Sequence, residues 1–330
     1  MKSFRLIASS TAFALFAALP FAGHSAEFRM LSSWDRSNPA VGAIADTFVK
    51  NVDAASKGSI KITVNGPETV PAFEQLQPVA SGAFHFIYTH GAYHFGTTPM
   101  LAVVESIGGD MASRRASGIF EEIDRHYQKQ GVKIIAWPMT PDGAYHLVLR
   151  QPIGPSGDLA GRKIRGTPSY FGVFRLLNAS PVGMPPGEIY TSLEKGVVEG
   201  TSWPVLGALG YRWYEVAKYM MRPAFGFSMT PILVNLNTWN RLSDAERKLL
   251  LDEGRKVEDA WYKESGLLAD EEEKALLVKG MSLTQMGPVQ RAKLKQAWGD
   301  GLWEASLKNE KHQKDLEQLR QFARQKRLLD

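Results

Sequence analysis

Helix-type and strand-type patterns alternate along most of this chain, and this alternation constrains the fold more than any other feature of the sequence. From Val41 to Ala55 the apolar residues recur at the spacing of a helix. Residues Ser59 to Val64 then alternate strictly between polar and apolar, which predicts a strand. The rhythm continues with a helix over 117–130 and strands over 132–137 and 145–149. Such alternation predicts α/β layers with a parallel or mixed sheet.

The pattern is interrupted once and then resumes, which predicts two domains. The turn-rich segment 151–158 is the best candidate for a hinge, and a second α/β pattern begins at Lys163. A length of 330 residues accommodates about two domains. Near the C-terminus, Ser243 and Glu246 form a capping box that predicts the start of a long helix. The charged tail over 313–329 reads as a solvated surface helix.

The first 26 residues have the layout of a secretory signal peptide. Lys2 and Arg5 precede the uncharged apolar run Leu6–Phe21, and small residues follow up to Ala26. We expect cleavage near Ala26 and a periplasmic location for the remainder. The alternative is a membrane anchor, but about 16 apolar residues are short for a span. The absence of cysteine fits an oxidising compartment.

Composition and motifs exclude several classes of function. Without cysteine the chain has no disulfides, no thiol nucleophile and no thiolate metal site. The net charge of +5 comes from basic residues scattered among acidic ones, so we expect no nucleic-acid partner. Nucleophile elbows, phosphate loops and dinucleotide fingerprints are absent from the sequence, and therefore no catalytic residues are predicted. His85, His90 and His94 could form a metal site, but packing or pocket lining is favoured because Gly91, not glutamate, follows His90.

Arg165 is the candidate for ligand recognition. It ends a short predicted strand and precedes the turn Gly166-Thr167-Pro168. Ligands of open α/β folds lie beyond the carboxyl ends of strands. A guanidinium there can hold a carboxylate through two parallel hydrogen bonds. The alternative is a surface arginine that pairs with a nearby acid.

Two segments resemble the signature of a known family. Gly161–Arg165 is similar to G-x-K-x-R, and Ala179–Gly200 contains a stretch similar to P-x-P-x-E-x-Y-x-A-L-x-x-G-x-V-D-G. These patterns are typical of the DctP-type solute-binding proteins of tripartite ATP-independent periplasmic (TRAP) transporters. The resemblance extends over most of the chain, including Phe73–Leu76 and Leu233–Asn235.

The resemblance implies a two-lobe periplasmic binding protein fold with a hinge and a long domain-spanning helix that starts at Ser243. The first lobe would comprise 27–150 plus about 232–270. The second would comprise 151–231 plus about 271–330, with the C-terminal helices. The ligand would lie between the lobes, with Arg165 on its carboxylate. Glu74 matches an early-helix glutamate, and Trp203 occupies a contact position before Pro204.

Two departures from the family pattern shape the expected ligand. Tyr145-His146 stands where many relatives carry a second arginine, so a second cationic contact is not expected. Ser202 precedes Trp203 where a subgroup has a cation-holding carboxylate, so we predict no metal and no cofactor. Aromatic walls favour an aromatic or short hydrophobic acid. The predicted substrate-binding residues are Arg165, Trp203, Glu74, Tyr145, Phe171, His90, Tyr93 and Trp34.

The expected function is therefore that of a monomeric periplasmic receptor. It would bind a small organic carboxylate and deliver it to the membrane subunits of a TRAP transporter, without covalent chemistry. One rival is a periplasmic enzyme that uses His90 and Glu74. The other is a sensor protein that presents its ligand to a membrane kinase.

Overall fold

The computed structural model describes residues 26–329, and their eleven strands form two sheets. The predicted signal peptide therefore lies, but for Ala26, outside the described residues. The strands are β1 (Ala26–Ser32), β2 (Ile60–Asn65), β3 (Phe86–Tyr88), β4 (Val132–Ala136), β5 (Tyr145–Leu149), β6 (Lys163–Arg165), β7 (Ser180–Val182), β8 (Gly200–Pro204), β9 (Tyr219–Arg222), β10 (Ile232–Asn235) and β11 (Ser282–Gln285).

Each sheet forms the centre of one lobe. The first sheet has the order β2-β1-β3-β10-β4, with β1 parallel to both its neighbours and β10 antiparallel to both of its own. The second sheet has the order β11-β9-β5-β8-β6-β7. The strict alternation predicted for β2 is confirmed, because Ile60 and Ile62 are buried while Lys61 and Thr63 are exposed. The mixed α/β fold follows from these two sheets and the helices that cover them.

The described residues form ten α-helices, which cover the sheets or pack on one another. They are α1 (Thr47–Ala55), α2 (Leu76–Ala80), α3 (Met111–Ser117), α4 (Ile119–Lys129), α5 (Phe171–Leu176), α6 (Ile189–Glu194), α7 (Leu236–Arg241), α8 (Asp244–Val278), α9 (Pro288–Leu307) and α10 (Gln313–Gln325). Within residues 26–329, none of these helices is both long enough and apolar enough to cross a membrane.

The long helix α8 joins the two lobes. The predicted capping box is confirmed, since Ser243 and Glu246 bond each other's backbone N–H groups. Near its start, α8 packs directly on β4, where a Cβ at Gly254 would lie 2.7 Å from the Ile135 carbonyl oxygen. Near its end, Glu272 accepts hydrogen bonds from the loop after β8 in the second lobe. The helix therefore contacts both lobes.

Two other segments, 137–144 and 223–231, cross between the sheets and run side by side. The Thr140 N–H donates to the Ser228 carbonyl oxygen at 2.9 Å, and the Gly143 N–H donates to that of Gly226 at 2.7 Å. We call these two segments the crossing pair. The hinge predicted at 151–158 lies beyond β5, within the second lobe, so the crossing occurs earlier in the chain than expected.

Two parts of the predicted domain division are therefore wrong. The boundary at residue 150 comes one strand too late, because β5 is a central strand of the second sheet. The C-terminal tail is predicted to be a solvated helix of the second lobe. In the structure its helix α10 packs on α4 of the first lobe. Its apolar residues Leu316, Leu319 and Ala323 are buried there. Their spacing of three and four residues is that of an amphipathic helix, which the many charges of the tail concealed.

Candidate functional site

A cavity of about 870 Å³, counting the solvent at its mouth, lies between the lobes. The first lobe contributes the aromatic residues Trp34, Tyr88 and Tyr93, and the second contributes residues from β5, β6 and β8. The crossing pair and one face of α8 complete the walls. The cavity is of a size that small-molecule ligands occupy.

Arg165 lies in this cavity at the end of β6, with only 1% of its surface exposed. Its Nε and Nη2 donate to the Met184 carbonyl oxygen at 3.0 and 2.9 Å, and Nη1 is 3.4 Å from the Ser202 carbonyl oxygen. Among the described residues, no carboxylate forms an ion pair with it. A buried charge is costly unless it is paired, and guanidinium carries five N–H donors. The guanidinium is therefore a buried group with hydrogen bonds to backbone carbonyls and no acidic partner among residues 26–329.

Tyr93 of the first lobe lies close to this guanidinium. Burial raises the pKa of the Tyr93 phenol, while the positive charge of Arg165 acts in the opposite direction. Tyr93 also accepts a hydrogen bond from Trp34 Nε1 at 2.9 Å. The centroids of the Trp34 and Tyr93 rings are 5.4 Å apart, and those of Trp34 and Tyr88 are 5.1 Å apart. Both lobes thus approach the arginine, and the first does so with an aromatic wall.

Trp203 on β8 forms the facing wall and is 2% exposed. The Arg165 Cζ lies 5.4 Å from the centroid of its ring, within the range of a cation–π contact. The indole is backed by Trp213, whose ring meets it edge-on at 5.2 Å. Gly207 is required beside it, because φ is +129° and a Cβ would lie 2.6 Å from Trp203 Nε1.

Glu272 of α8 fixes the loop that follows Trp203. Its carboxylate accepts from the backbone N–H groups of Gly207 and Leu209, at distances of 2.8–2.9 Å. Burial raises the pKa of Glu272, and the backbone donors oppose this shift. The long helix therefore determines the position of the Trp203 wall.

A buried hydrogen-bond network lies behind the cavity and centres on Glu105, which is 2% exposed. Its Oε1 accepts from His90 Nε2 at 2.7 Å, from the Tyr145 hydroxyl at 2.8 Å and from the Met229 N–H at 2.9 Å. Because the Ala92 N–H donates to His90 Nδ1, the proton of His90 is on Nε2. Burial raises the pKa of Tyr145 well above its usual range, so this hydroxyl stays protonated. The network joins the first lobe, β5 and the crossing pair.

Two hydroxyl groups of the cavity wall have no hydrogen-bond partner within residues 26–329. They belong to Thr167, two residues after Arg165, and to Ser265 of α8. Both residues are at least 95% buried. A helical serine commonly bonds the carbonyl of the preceding turn, but Ser265 does not. Buried hydroxyls are normally paired, so both are available to a ligand.

The predicted site residues divide into two groups. Six line the cavity, namely Arg165, Trp203, Tyr145, His90, Tyr93 and Trp34. Glu74 and Phe171 do not, which corrects their prediction. Glu74 is exposed on the turn 72–74, while the next residue, Gln75, is buried and bonds Ser33. Phe171 begins α5 and faces away from the cavity, whereas the preceding Tyr170 lines it.

The three clustered histidines do not converge on a common point. His90 bonds Glu105, His94 bonds the Tyr127 hydroxyl at 2.7 Å, and His85 accepts from the Arg29 N–H. Burial lowers the pKa of His94 to about 3. Each of the three histidines therefore has its own partner within the protein, and their interpretation as packing and pocket-lining residues stays a prediction.

Sequence reasoning missed Glu105, Thr167 and Ser265. Glu105 lies on the turn 102–106, whose sequence has no periodic pattern. Ser265 lies on a helix so rich in charged residues that its sequence suggests exposure to solvent. Thr167 had a detectable signal, since it follows Arg165 in the same turn. The other two positions depend on long-range packing.

Comparisons with known proteins agree with this arrangement. The family model described as bacterial extracellular solute-binding protein, family 7 (DctP), matches residues 31–308. A monocarboxylate 2-oxoacid-binding periplasmic protein of Nostoc sp. is 28% identical over 65% of this chain and 61% of its own length. Two further curated relatives are matched over only 41% and 40% of their lengths.

Solved structures share the fold. A TRAP periplasmic solute-binding protein from Desulfovibrio salexigens, with bound orotic acid, has a TM-score of 0.78 at 19% identity. That match covers 91% of this chain and 99% of the other. A Bordetella pertussis extracytoplasmic solute receptor that binds pyroglutamic acid has a TM-score of 0.76 at 21% identity, over 91% and 100% of the two chains. With the family model matched over most of its length, this chain belongs to family 7 of the bacterial extracellular solute-binding proteins, the DctP family.

Proposed function

We propose that this protein is a periplasmic receptor that binds a small monocarboxylic acid between its lobes and delivers it to the membrane subunits of a TRAP transporter. The observation that carries the proposal is Arg165, a buried guanidinium without an acidic partner among residues 26–329, in an aromatic cavity. The expected export of the chain and its family are consistent with this role. We expect a monomer.

The charges of the cavity favour one carboxylate rather than two. Arg165 is the single lysine or arginine among the described lining residues, and the proton positions of His90 leave its ring neutral. The exposed Asp142 at the mouth adds a negative charge. A second ligand carboxylate would therefore lose its hydration without gaining a cation.

The walls favour a flat or compact apolar body. Trp34, Tyr93, Tyr145 and Trp203 present aromatic surface, which suits an aromatic or short hydrophobic acid. Relatives described as binding a 2-oxoacid monocarboxylate, orotic acid or pyroglutamic acid support a small acid of this kind. Thr167 and Ser265 would bond the polar atoms of the ligand.

The His90–Glu105 pair supports binding rather than catalysis. Nδ1 of His90 accepts from the Ala92 N–H, and its Nε2 proton is directed to Glu105 and Tyr145. A general base needs a free nitrogen within hydrogen-bond reach of its substrate. Neither nitrogen is free, so the pair serves to hold the wall in place.

A thermal-shift screen of carboxylates tests the proposal. We expect small monocarboxylic acids such as benzoate and pyroglutamate to stabilise the protein, by about 2.7 kcal/mol at 100 times the dissociation constant. Phthalate, with a second carboxylate, should bind at least about fivefold more weakly than benzoate, because one unpaired buried polar group costs about 1–3 kcal/mol. Stabilisation by dicarboxylates alone would contradict the proposal, as would turnover of a bound acid.

Removing the Ser265 hydroxyl should weaken the binding of acids with a polar ring and leave the binding of acids with an apolar ring unchanged. For Ser265→Ala we expect pyroglutamate to lose about 2–10-fold in affinity, the value of one neutral hydrogen bond. Cyclopentanecarboxylate has a ring of the same size without the amide and should be unaffected. Calorimetry on both acids measures the difference. Ser282→Ala, at an exposed residue of β11, is the matched control. Equal losses for the two acids would contradict the assignment of Ser265.

A further inference from the structure

A second group of titratable residues lies away from the cavity, where α10 meets the first lobe. It consists of His126 on α4, His312 on the turn 310–312 and Asp315 on α10. One ligand atom from each residue lies within 4.8 Å of the other two. Both histidines are 4% exposed, and Asp315 is partly exposed. We call this group the His–His–Asp cluster.

The cluster already has the internal contacts of a compact site. His126 Nδ1 is 2.9 Å from Asp315 Oδ2, and the two imidazole rings meet edge to face with centroids 5.0 Å apart. Donor atoms around a tetrahedral zinc ion lie about 3.3 Å apart, given bonds of about 2.0–2.1 Å. The widest separation is at most 4.8 Å and must therefore shrink by up to about 1.5 Å, which requires small rotations of the side chains.

The Nε2 atom of each imidazole contacts an oxygen atom of Thr97 or Thr98 in the first lobe. His312 Nε2 donates to the Thr97 carbonyl oxygen at 2.8 Å, so Nδ1 is the nitrogen that remains for a metal ion. His126 Nε2 is 2.8 Å from the Thr98 hydroxyl, on the opposite side of the ring from Asp315. Metal-binding histidines characteristically bond a backbone carbonyl or another oxygen through the second nitrogen, which orients the ring. Two consecutive residues, Thr97 and Thr98, provide this support here.

The cluster can be reached from solvent. A surface cleft reaches His126 and Asp315, and would admit an ion with its water. Lys129 and Arg125 also line this cleft, but Arg125 pairs with Glu122.

We propose that His126, His312 and Asp315 bind one zinc ion, with water from the cleft in the fourth position. Two imidazoles and a carboxylate are a donor set that zinc accepts. The ion would fasten α10 to α4 and so stabilise the first lobe. It would have no part in ligand binding, and this inference does not depend on the proposed function.

Zinc uptake by the purified full-length chain, prepared without a histidine tag and stripped with EDTA, tests the proposal. We expect about one zinc per chain by equilibrium dialysis and metal analysis, and a higher melting temperature with zinc than without. His312→Gln should weaken zinc binding at least about 100-fold. Thr98→Val, which removes the support of His126 and leaves the three proposed ligands in place, should weaken it about 10–100-fold. His85→Gln is the matched control and should bind like the parent.

Two results would overturn the proposal. The parent protein could take up no zinc at micromolar concentration, or His312→Gln and His85→Gln could bind it equally. In either case the His126–Asp315 contact would join α4 to α10 by a hydrogen bond, without a metal ion. If a variant fails to fold, Thr98→Val still decides the question, because it leaves all three proposed ligands in place. Carboxylate binding should be the same with and without zinc, so failure here leaves the receptor proposal untouched.

Discussion

Replacing Arg165 with alanine is expected to weaken carboxylate binding by at least about 100-fold. A hydrogen bond that involves a charged group contributes about 1.5–3 kcal/mol, and the guanidinium can offer two to one carboxylate. Together these correspond to roughly 10²- to 10⁴-fold in affinity. Calorimetry with the best acid from the screen measures the loss.

The same variant should fold as well as the parent or better. Arg165 is buried without an acidic partner among residues 26–329, so its removal relieves an uncompensated charge. Arg165→Lys should also lose affinity, since one ammonium cannot bond both the Met184 carbonyl oxygen and a carboxylate in the geometry of the fork. The partly exposed Arg162, which bonds backbone carbonyls at 151 and 152, provides the control Arg162→Ala. Unchanged affinity in Arg165→Ala would refute the assignment of the site.

Replacing Glu105 with alanine is expected to lower the free energy of unfolding by about 3–5 kcal/mol. The change removes the shared acceptor of His90, Tyr145 and the Met229 N–H, all of which are buried. His90 retains the Tyr145 hydroxyl as an acceptor at 3.0 Å, so about two buried donors are left without a partner. Each costs about 1–3 kcal/mol, and the vacated volume adds to this. Urea unfolding measures the change.

Glu105→Gln separates the loss of the acceptor from the loss of charge. The amide oxygen can replace Oε1, so we expect less than half the destabilisation of the alanine variant. Glu121→Ala, at an exposed position on α4, should be nearly neutral. Because Tyr145 and His90 line the cavity, carboxylate affinity should fall in Glu105→Ala as well. If Glu105→Ala were as stable as Glu121→Ala, the network would not hold the wall.

Local patterns in the sequence were sufficient for much of the fold. Alternation correctly predicted β2, and the capping box correctly predicted the start of α8. The strand-then-turn pattern correctly predicted that Arg165 lies at the carboxyl end of a strand. These features depend on neighbours within a few residues, because strand periodicity, helix caps and turns are local interactions.

The same reasoning failed for elements whose position depends on packing against residues far away in the sequence. The strand pattern of β5 does not indicate which sheet it joins, and its placement rests on pairing with β8 and β9. The charges of the tail concealed the face by which α10 packs on α4. The prediction of Glu74 and Phe171 was wrong by one residue in each case. The neighbouring Gln75 is the buried side chain of its turn, and the neighbouring Tyr170 lines the cavity.

The sequence by itself determined an α/β chain of two lobes, with one arginine positioned for an acid and aromatic residues near it. Only the tertiary structure decided which side chains share the cavity. Among those that line it, His90 follows β3, Ser265 lies on the long helix and Trp203 lies on a strand, all far apart in sequence. They become neighbours because the crossing pair and α8 hold the lobes against each other. Burial then leaves Arg165, Thr167 and Ser265 with bonding capacity that residues 26–329 do not fill, and whether a buried group is paired is a property of packing.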